Sequence, residues 1–477
     1  MRTGAETAAN RPRLGERLGL GRPAGVGLIL AVVAVALAAP LWLWNDPLDG
    51  YSLRLEGLVG LGERLAGLAD PFARARLQLD DFDYVSESRT GADLARHLLT
   101  PHNTHVVPLF RLWTYAWVRA AGSLERLPEA LGLASYLTYV LALVLVAHVV
   151  AYETHRPAFG LGVMAAVGVS ALLEPTVRWF SAGQAVASAS AVLATLAALQ
   201  QWRARGAWWW LVGGALAAAV APLLWSGGYV AGPAGFVYLW ADGRPRARRA
   251  AVVPLAASAI VAVGAFAVAG RTITASGNFH ERTISEAANP FQGAISTSQG
   301  VIEILGLRNL GLEAVTTPLQ AVVLCLGLAC AWAWSRGRPW RPNPLEAAGA
   351  VLVLLGFFLV YTARGYFTFD SLRDLSWYQA IPQFGTALVA AGWIKGRHVP
   401  GELPMRLPVR PTRGGMLGVL GIVLLALMLQ TTRVRARVVA TAPPLTASEA
   451  SRFPTPGLKR LRARYLDAEQ VAWQRRF

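Results

Sequence analysis

Three aspartates fall within four residues in the run Leu79-Asp80-Asp81-Phe82-Asp83-Tyr84. Carboxylates at such close quarters cannot all ionise freely, and mutual repulsion lifts one of them toward the range of a general base. Three roles are open to Asp80, Asp81 and Asp83: stripping a proton from an attacking hydroxyl, holding a divalent cation through oxygen ligands, or capping a following helix. Asp46 and Asp49 are rival positions for the same work. Further on comes Thr100-Pro101-His102-Asn103-Thr104-His105. Its histidines, His102 and His105, are three apart, a spacing that lets them share a helical face or turn and meet a phosphate or a metal. Capping and interface roles suit them as well.

Cationic candidates lie elsewhere. Arg178 sits in Pro175-Thr176-Val177-Arg178-Trp179-Phe180-Ser181, and Arg364 and Arg373 flank Gly365-Tyr366-Phe367-Thr368-Phe369-Asp370. A guanidinium fork at a bilayer surface suits a lipid-linked phosphate, although headgroup contact alone is the commoner use of such residues. His148, inside an apolar run, is expected to be buried and hydrogen-bonded. The sequence holds no phosphate-cradling glycine loop, no thiol pair with metal spacing and no nucleophile elbow. Its two cysteines, Cys325 and Cys330, share one apolar run and read as packing residues.

What must position these groups is a set of membrane helices. Hydrophobic residues make up 54% of the 477 and charged residues 15%, against roughly 25% charged in soluble domains. Runs free of Asp, Glu, Lys and Arg cover 24–44, 131–152, 180–201, 250–270, 316–334 and 414–432. Each is long enough to cross about 30 Å of hydrocarbon at 1.5 Å per residue. Shorter charge-free runs at 158–173, 207–224, 227–241, 347–363 and 379–394 can span with tilting or local thinning. The pattern predicts an all-α polytopic membrane bundle of eleven spans, with a twelfth if 105–121 also crosses. The first run, followed by Asn45-Asp46-Pro47 and no small-residue cleavage site, reads as a retained helix.

Arginine clusters at 2–22, 203–205, 244–249, 336–341 and 395–413 assign those connections to the cytoplasm by the positive-inside rule. That makes 1–23 a cytoplasmic tail and 24–432 the membrane domain, with 45–127, 271–315 and 364–378 on the extracytoplasmic side. Residues 45–104 hold ten of the 28 acidic side chains and only six arginines, so the first outside loop is net negative in a chain of charge +17. That loop is expected to carry a surface helix at 51–69, and 105–121, with Arg111, Trp113, Tyr115, Trp117 and Arg119, is expected to lie along the interface. The basic tail 433–477 falls outside on this count, resting on anionic headgroups. Positive charge spread over short connections answers to membrane orientation, so no nucleic-acid partner is expected.

The order of these pieces resembles the GT-C superfamily of membrane glycosyltransferases, including the enzymes that transfer mannose from dolichyl phosphate to protein. The resemblance lies in a first helix, an outside loop with Asp80-Asp81, the stretch His102-Asn103-Thr104-His105-Val106-Val107-Pro108-Leu109, and Val177-Arg178-Trp179-Phe180-Ser181-Ala182-Gly183 before a long Ala/Leu helix. It covers residues 24–205. It implies an inner-membrane enzyme acting on the extracytoplasmic face, with a polyprenyl-phosphate-linked sugar as donor. By that resemblance a loop aspartate is the base of an inverting displacement, and Arg178, Arg364 or Arg373 partners the lipid phosphate, with a divalent cation as a candidate cofactor. Two departures stand out. About 35 residues separate the first helix from Asp80, and the outside segments hold no lysine except Lys459. A different class, a transporter or flippase of a lipid-linked saccharide, needs a polar path through the bilayer; the charge-free runs argue against it.

Overall fold

A computed structural model of the chain describes residues 79–102, 105–123, 126–168, 170, 173, 176–177, 179–276, 289–304, 343–363 and 376–395. The described residues are helical throughout apart from connections and one isolated backbone bridge. The stretch expected to form the first outside loop supplies α1 (Leu79–Glu87), α2 (Gly91–His97) and α3 (Pro108–Ala121). The bundle follows: α4 (Leu127–Thr154), α5 (Pro157–Gly168), α6 (Gly183–Arg205) and α7 (Trp208–Leu224). After a 3-10 turn at Ser226–Val230 come α8 (Ala231–Ala241), α9 (Pro245–Ala250) and α10 (Val252–Ser276). Then come α11 (Pro290–Ile304), α12 (Pro344–Ala363), a second 3-10 turn at Ser376–Gln379, and α13 (Ala380–Lys395).

Local chemistry places the ends. Proline opens α3, α5, α9, α11 and α12, where its missing N–H costs nothing and its fixed φ suits the first turn. Before α12, Asn343 Oδ1 accepts the Leu345 and Glu346 N–H groups while Glu346 accepts the Asn343 N–H, a reciprocal capping box. Gly206 ends α6 in the left-handed region at φ 70°, its N–H returning to the Trp202 carbonyl at 2.8 Å, the geometry only glycine adopts cheaply.

Every charge-free run that falls on described residues forms a helix. The run at 158–173 stops being helical at Gly168, and 227–241 begins with the tighter 3-10 turn. Four helical segments are long and apolar enough to cross a membrane: 130–154, 183–205, 245–271 and 344–363. Of these, α6 is the most enclosed, with 78% of its apolar window covered by neighbouring protein, whereas the window in α9–α10 is 22% covered. α6 is the axis of the bundle, and α10 turns most of its apolar surface outward. Small residues allow close crossings: a Cβ added at Gly349 of α12 would lie 2.6 Å from the Gly385 carbonyl oxygen of α13, so the two backbones meet directly. The runs at 24–44, 316–334 and 414–432, the helix expected at 51–69 and both tails lie outside the described residues. Within the expected outside loop 271–315, α10 continues to Ser276 and α11 packs along α12, with Gly293 against Thr362 and Gly300 against Phe357.

The chain direction sorts charge to two ends. At one end the last residues of α4, α6, α8 and α13 meet: Glu153 takes Arg203 Nη1 at 2.6 Å and Lys395 Nζ at 2.8 Å, and the Tyr238 hydroxyl donates to it. Arg203 Nη2 reaches Asp242 at 2.7 Å. At the other end α1 and α3 pack against the start of α4 and the turn before α6, around a small apolar cluster that includes Tyr84, Val85, Val107, Phe110, Leu131 and Phe180, and α2 lies against α1 and α3.

Candidate functional site

The acidic run is the first turn of a helix. Asp80 and Asp81 lie at the N-terminus of α1, where unpaired N–H groups and the helix dipole favour carboxylates. Successive helical residues point about 100° apart while i and i+3 share a face, so the three aspartates separate. Asp81 turns inward and is fully buried. Its Oδ1 accepts the Ser181 backbone N–H at 2.7 Å and the Ser181 hydroxyl at 2.6 Å. This joins α1 to the turn that leads into α6, across 100 residues of sequence.

Asp80 and Asp83 share the other face. With His102 they offer three ligand atoms within 4.8 Å of one another. His102 Nε2 lies 3.9 Å from Asp80 Oδ1, an ion-pair distance, and the two side chains are 13% and 33% exposed. The imidazole is held in place by paired backbone bonds between residues 102 and 105, each 2.9 Å, and by the Tyr84 ring, 4.6 Å centroid to centroid. Burial disfavours the imidazolium, but the carboxylates of Asp80, Asp83 and Glu87 outweigh it and hold the His102 pKa above its usual value. Tyr84 is enclosed completely, and burial pushes its phenol well above the ordinary tyrosine range despite the nearby Arg111.

His105 goes a different way. Its Nδ1 lies 2.7 Å from the Ser226 hydroxyl, in the turn between α7 and α8. Facing each other across a backbone bridge rather than along a helix, the two histidines diverge, and His105 pins the loop to the bundle while His102 faces the aspartates.

Arg111, expected at the interface, is instead fully buried. It pairs with Glu87 of α1, donates from Nη2 to the Thr100 carbonyl at 3.1 Å, and lies 5.4 Å above the Tyr84 ring. One side chain thus fixes α1, α3 and the segment leading to His102. No local spacing reveals this, because Glu87 lies 24 residues away. His148, expected to be buried, is on an outward face of α4 with its ring beside Tyr152, 6.2 Å away. Its neighbours Leu141 and Val144 are exposed on α4 too. Arg178, Arg364 and Arg373, with Asp46, Asp49 and Lys459, lie outside the described residues. Residues flanking two of those stretches do meet: Trp179 and Trp377 stand edge to face at 4.6 Å.

Chemically, Asp80 is a partly exposed carboxylate beside an imidazole, with a second carboxylate on the same face. Two oxygen donors and one imidazole nitrogen also form a donor set that a borderline divalent ion such as Zn2+ or Mn2+ accepts. Among the described residues this is where ligand atoms converge. Asp81, already accepting two hydrogen bonds on one oxygen, serves as a brace. No protein-family model, curated protein or solved structure was found to match the chain. Fold and site together define, among the described residues, an all-helical protein with four helical segments long and apolar enough to cross a membrane and a carboxylate–histidine cluster at one end of its bundle.

Proposed function

We propose that the chain is an integral membrane glycosyltransferase of GT-C type, with about eleven spans, that moves a sugar from a polyprenyl-phosphate-linked donor to an acceptor on the extracytoplasmic face. The observation that carries this reading is the Asp80–His102 pair with Asp83 beside it. It lies at the end of the bundle opposite Arg203, Arg244, Arg246 and Lys395, the end that the positive-inside rule assigns to the cytoplasm.

Asp80 takes the role of base. It removes the proton from an acceptor hydroxyl as that oxygen bonds to the anomeric carbon. The bond from that carbon to the lipid phosphate oxygen breaks, its electron pair leaves with the phosphate, and configuration inverts. Positioning and charge stabilisation supply most of the acceleration. His102, whose pKa its carboxylate neighbours raise, provides positive charge for the departing phosphate when protonated, as by resemblance do Arg178, Arg364 and Arg373. A divalent ion held by Asp80, Asp83 and the neutral His102 imidazole would supply that positive charge in place of an imidazolium. Transport is the less supported alternative, because the four candidate spans carry their charged residues only in their terminal turns.

The test is incubation of purified, reconstituted protein with radiolabelled polyprenyl-phosphate sugars, reading consumption of the donor. Asp80→Asn should lower turnover by at least about a hundredfold, the usual weight of a general base, while losing no more thermal stability than His102→Gln loses with the same ion pair. Full turnover in Asp80→Asn would remove this residue from the mechanism.

A further inference from the structure

The opposite end of the bundle holds a separate cationic pocket. Residues 201–250 contain six arginines, at 203, 205, 244, 246, 248 and 249, against a single carboxylate, Asp242. Arg203 is committed to Glu153 and Asp242, and Asp242 also takes Arg244. Arg246 is different: it lies 5.4 Å over the Trp202 indole and donates to the Gly206 carbonyl at 2.8 Å, a neutral partner. Gly206 also leaves it room, since a Cβ there would come within 3.1 Å of the guanidinium. Trp202, Arg203, Gly206, Arg244, Arg246 and Ala247 enclose a pocket of about 80 Å3, with no carboxylate among its lining residues.

The depth of this pocket follows from its surroundings. Among the described residues the strongly exposed tryptophans are Trp208, Trp209, Trp240 and Trp393. All four lie at this end: Trp208 and Trp209 open α7, while Trp240 and Trp393 close α8 and α13. Exposed indoles collect at the headgroup level of a bilayer. Beside the pocket begin the exposed apolar faces of α7, at Val212 and Leu216, and of α10, at Val252, Ile260 and Val263.

The geometry points to a binding site for the phosphate of an anionic phospholipid, held by Arg244 and Arg246 with its acyl chains along the outward faces of α7 and α10. The pocket has room for one phosphate group between the two guanidinium groups. A free oxyanion offers the same charge but leaves the apolar faces uncovered, which favours the lipid.

Purified full-length protein, reconstituted in nanodiscs of phosphatidylcholine with or without phosphatidylglycerol and then released into detergent, reports its retained lipids by native mass spectrometry. Wild type should retain phosphatidylglycerol over phosphatidylcholine by roughly tenfold, as two arginines near a bilayer surface warrant. Arg244→Gln/Arg246→Gln should lose that preference. Both side chains are exposed, so the variant folds. Arg244→Lys/Arg246→Lys should keep most of it, and Arg119→Gln at the other end all of it. Equal retention in wild type and the glutamine variant overturns the assignment. So does displacement of the lipid by millimolar inorganic phosphate, which would mark a free-anion site.

Discussion

Replacing Asp81 by alanine strands two donors at once. In the folded chain both the N–H and the hydroxyl of Ser181 end on Asp81 Oδ1 at 2.7 and 2.6 Å, in a region closed to solvent. Each buried donor left without its acceptor costs about 1–3 kcal/mol, more where the acceptor was charged, so the variant should lose about 3–5 kcal/mol. For 477 residues unfolding with roughly 2.1 cal/mol/K per residue, that is a fall of about 3–5 °C in Tm. Asp81→Asn, which keeps an acceptor oxygen and loses only the charge, should cost about 1 kcal/mol. Ser181→Ala removes the hydroxyl alone. In a double-mutant cycle measured by thermal unfolding in detergent, Asp81→Ala and Ser181→Ala should couple by about 1–3 kcal/mol. Strict additivity of the two, or an Asp81→Ala variant as stable as wild type, would refute the bridge between residues 81 and 181. A variant that lost transfer at full stability would show instead that Asp81 acts in the chemistry.

Arg111→Met should destabilise the chain by about 3–5 kcal/mol, because Glu87 is then held without its cation; adding Glu87→Gln should restore part of the loss, read by the same unfolding assay. His102 supplies a pH test: its folded pKa is raised above the usual ~6.5, so its contribution to stability is complete below that value and is lost as pH rises through the folded pKa. Wild type should therefore lose its advantage over His102→Gln between slightly acid and alkaline pH, and a pH-independent difference would refute the ion pair with Asp80.

The helices were legible because their signals are local. Apolar runs cannot be solvated, proline at a first position and glycine past a last one punctuate them, and each such run that falls on described residues became a helix. The arginine clusters at 203–205 and 244–249 and Lys395 do share one end of the bundle, where Glu153 takes Arg203 and Lys395. The residues around Asp80 read as chemically notable but as part of a loop, whereas the structure makes them helix; their i, i+3 spacing then sets Asp80 and Asp83 on one face and Asp81 on the other.

Three decisions belonged to tertiary structure. Ser181 claims Asp81, Ser226 claims His105, and Glu87 draws Arg111 out of the interface into the interior. Each joins segments tens of residues apart, and no sequence periodicity carries information across such a gap. The sequence alone determined which side chains could ionise and which stretches had to be helical. Which of three adjacent carboxylates remained partly open to solvent was decided only when α1 packed against the turn before α6, because burial and hydrogen bonding are properties of neighbours in space.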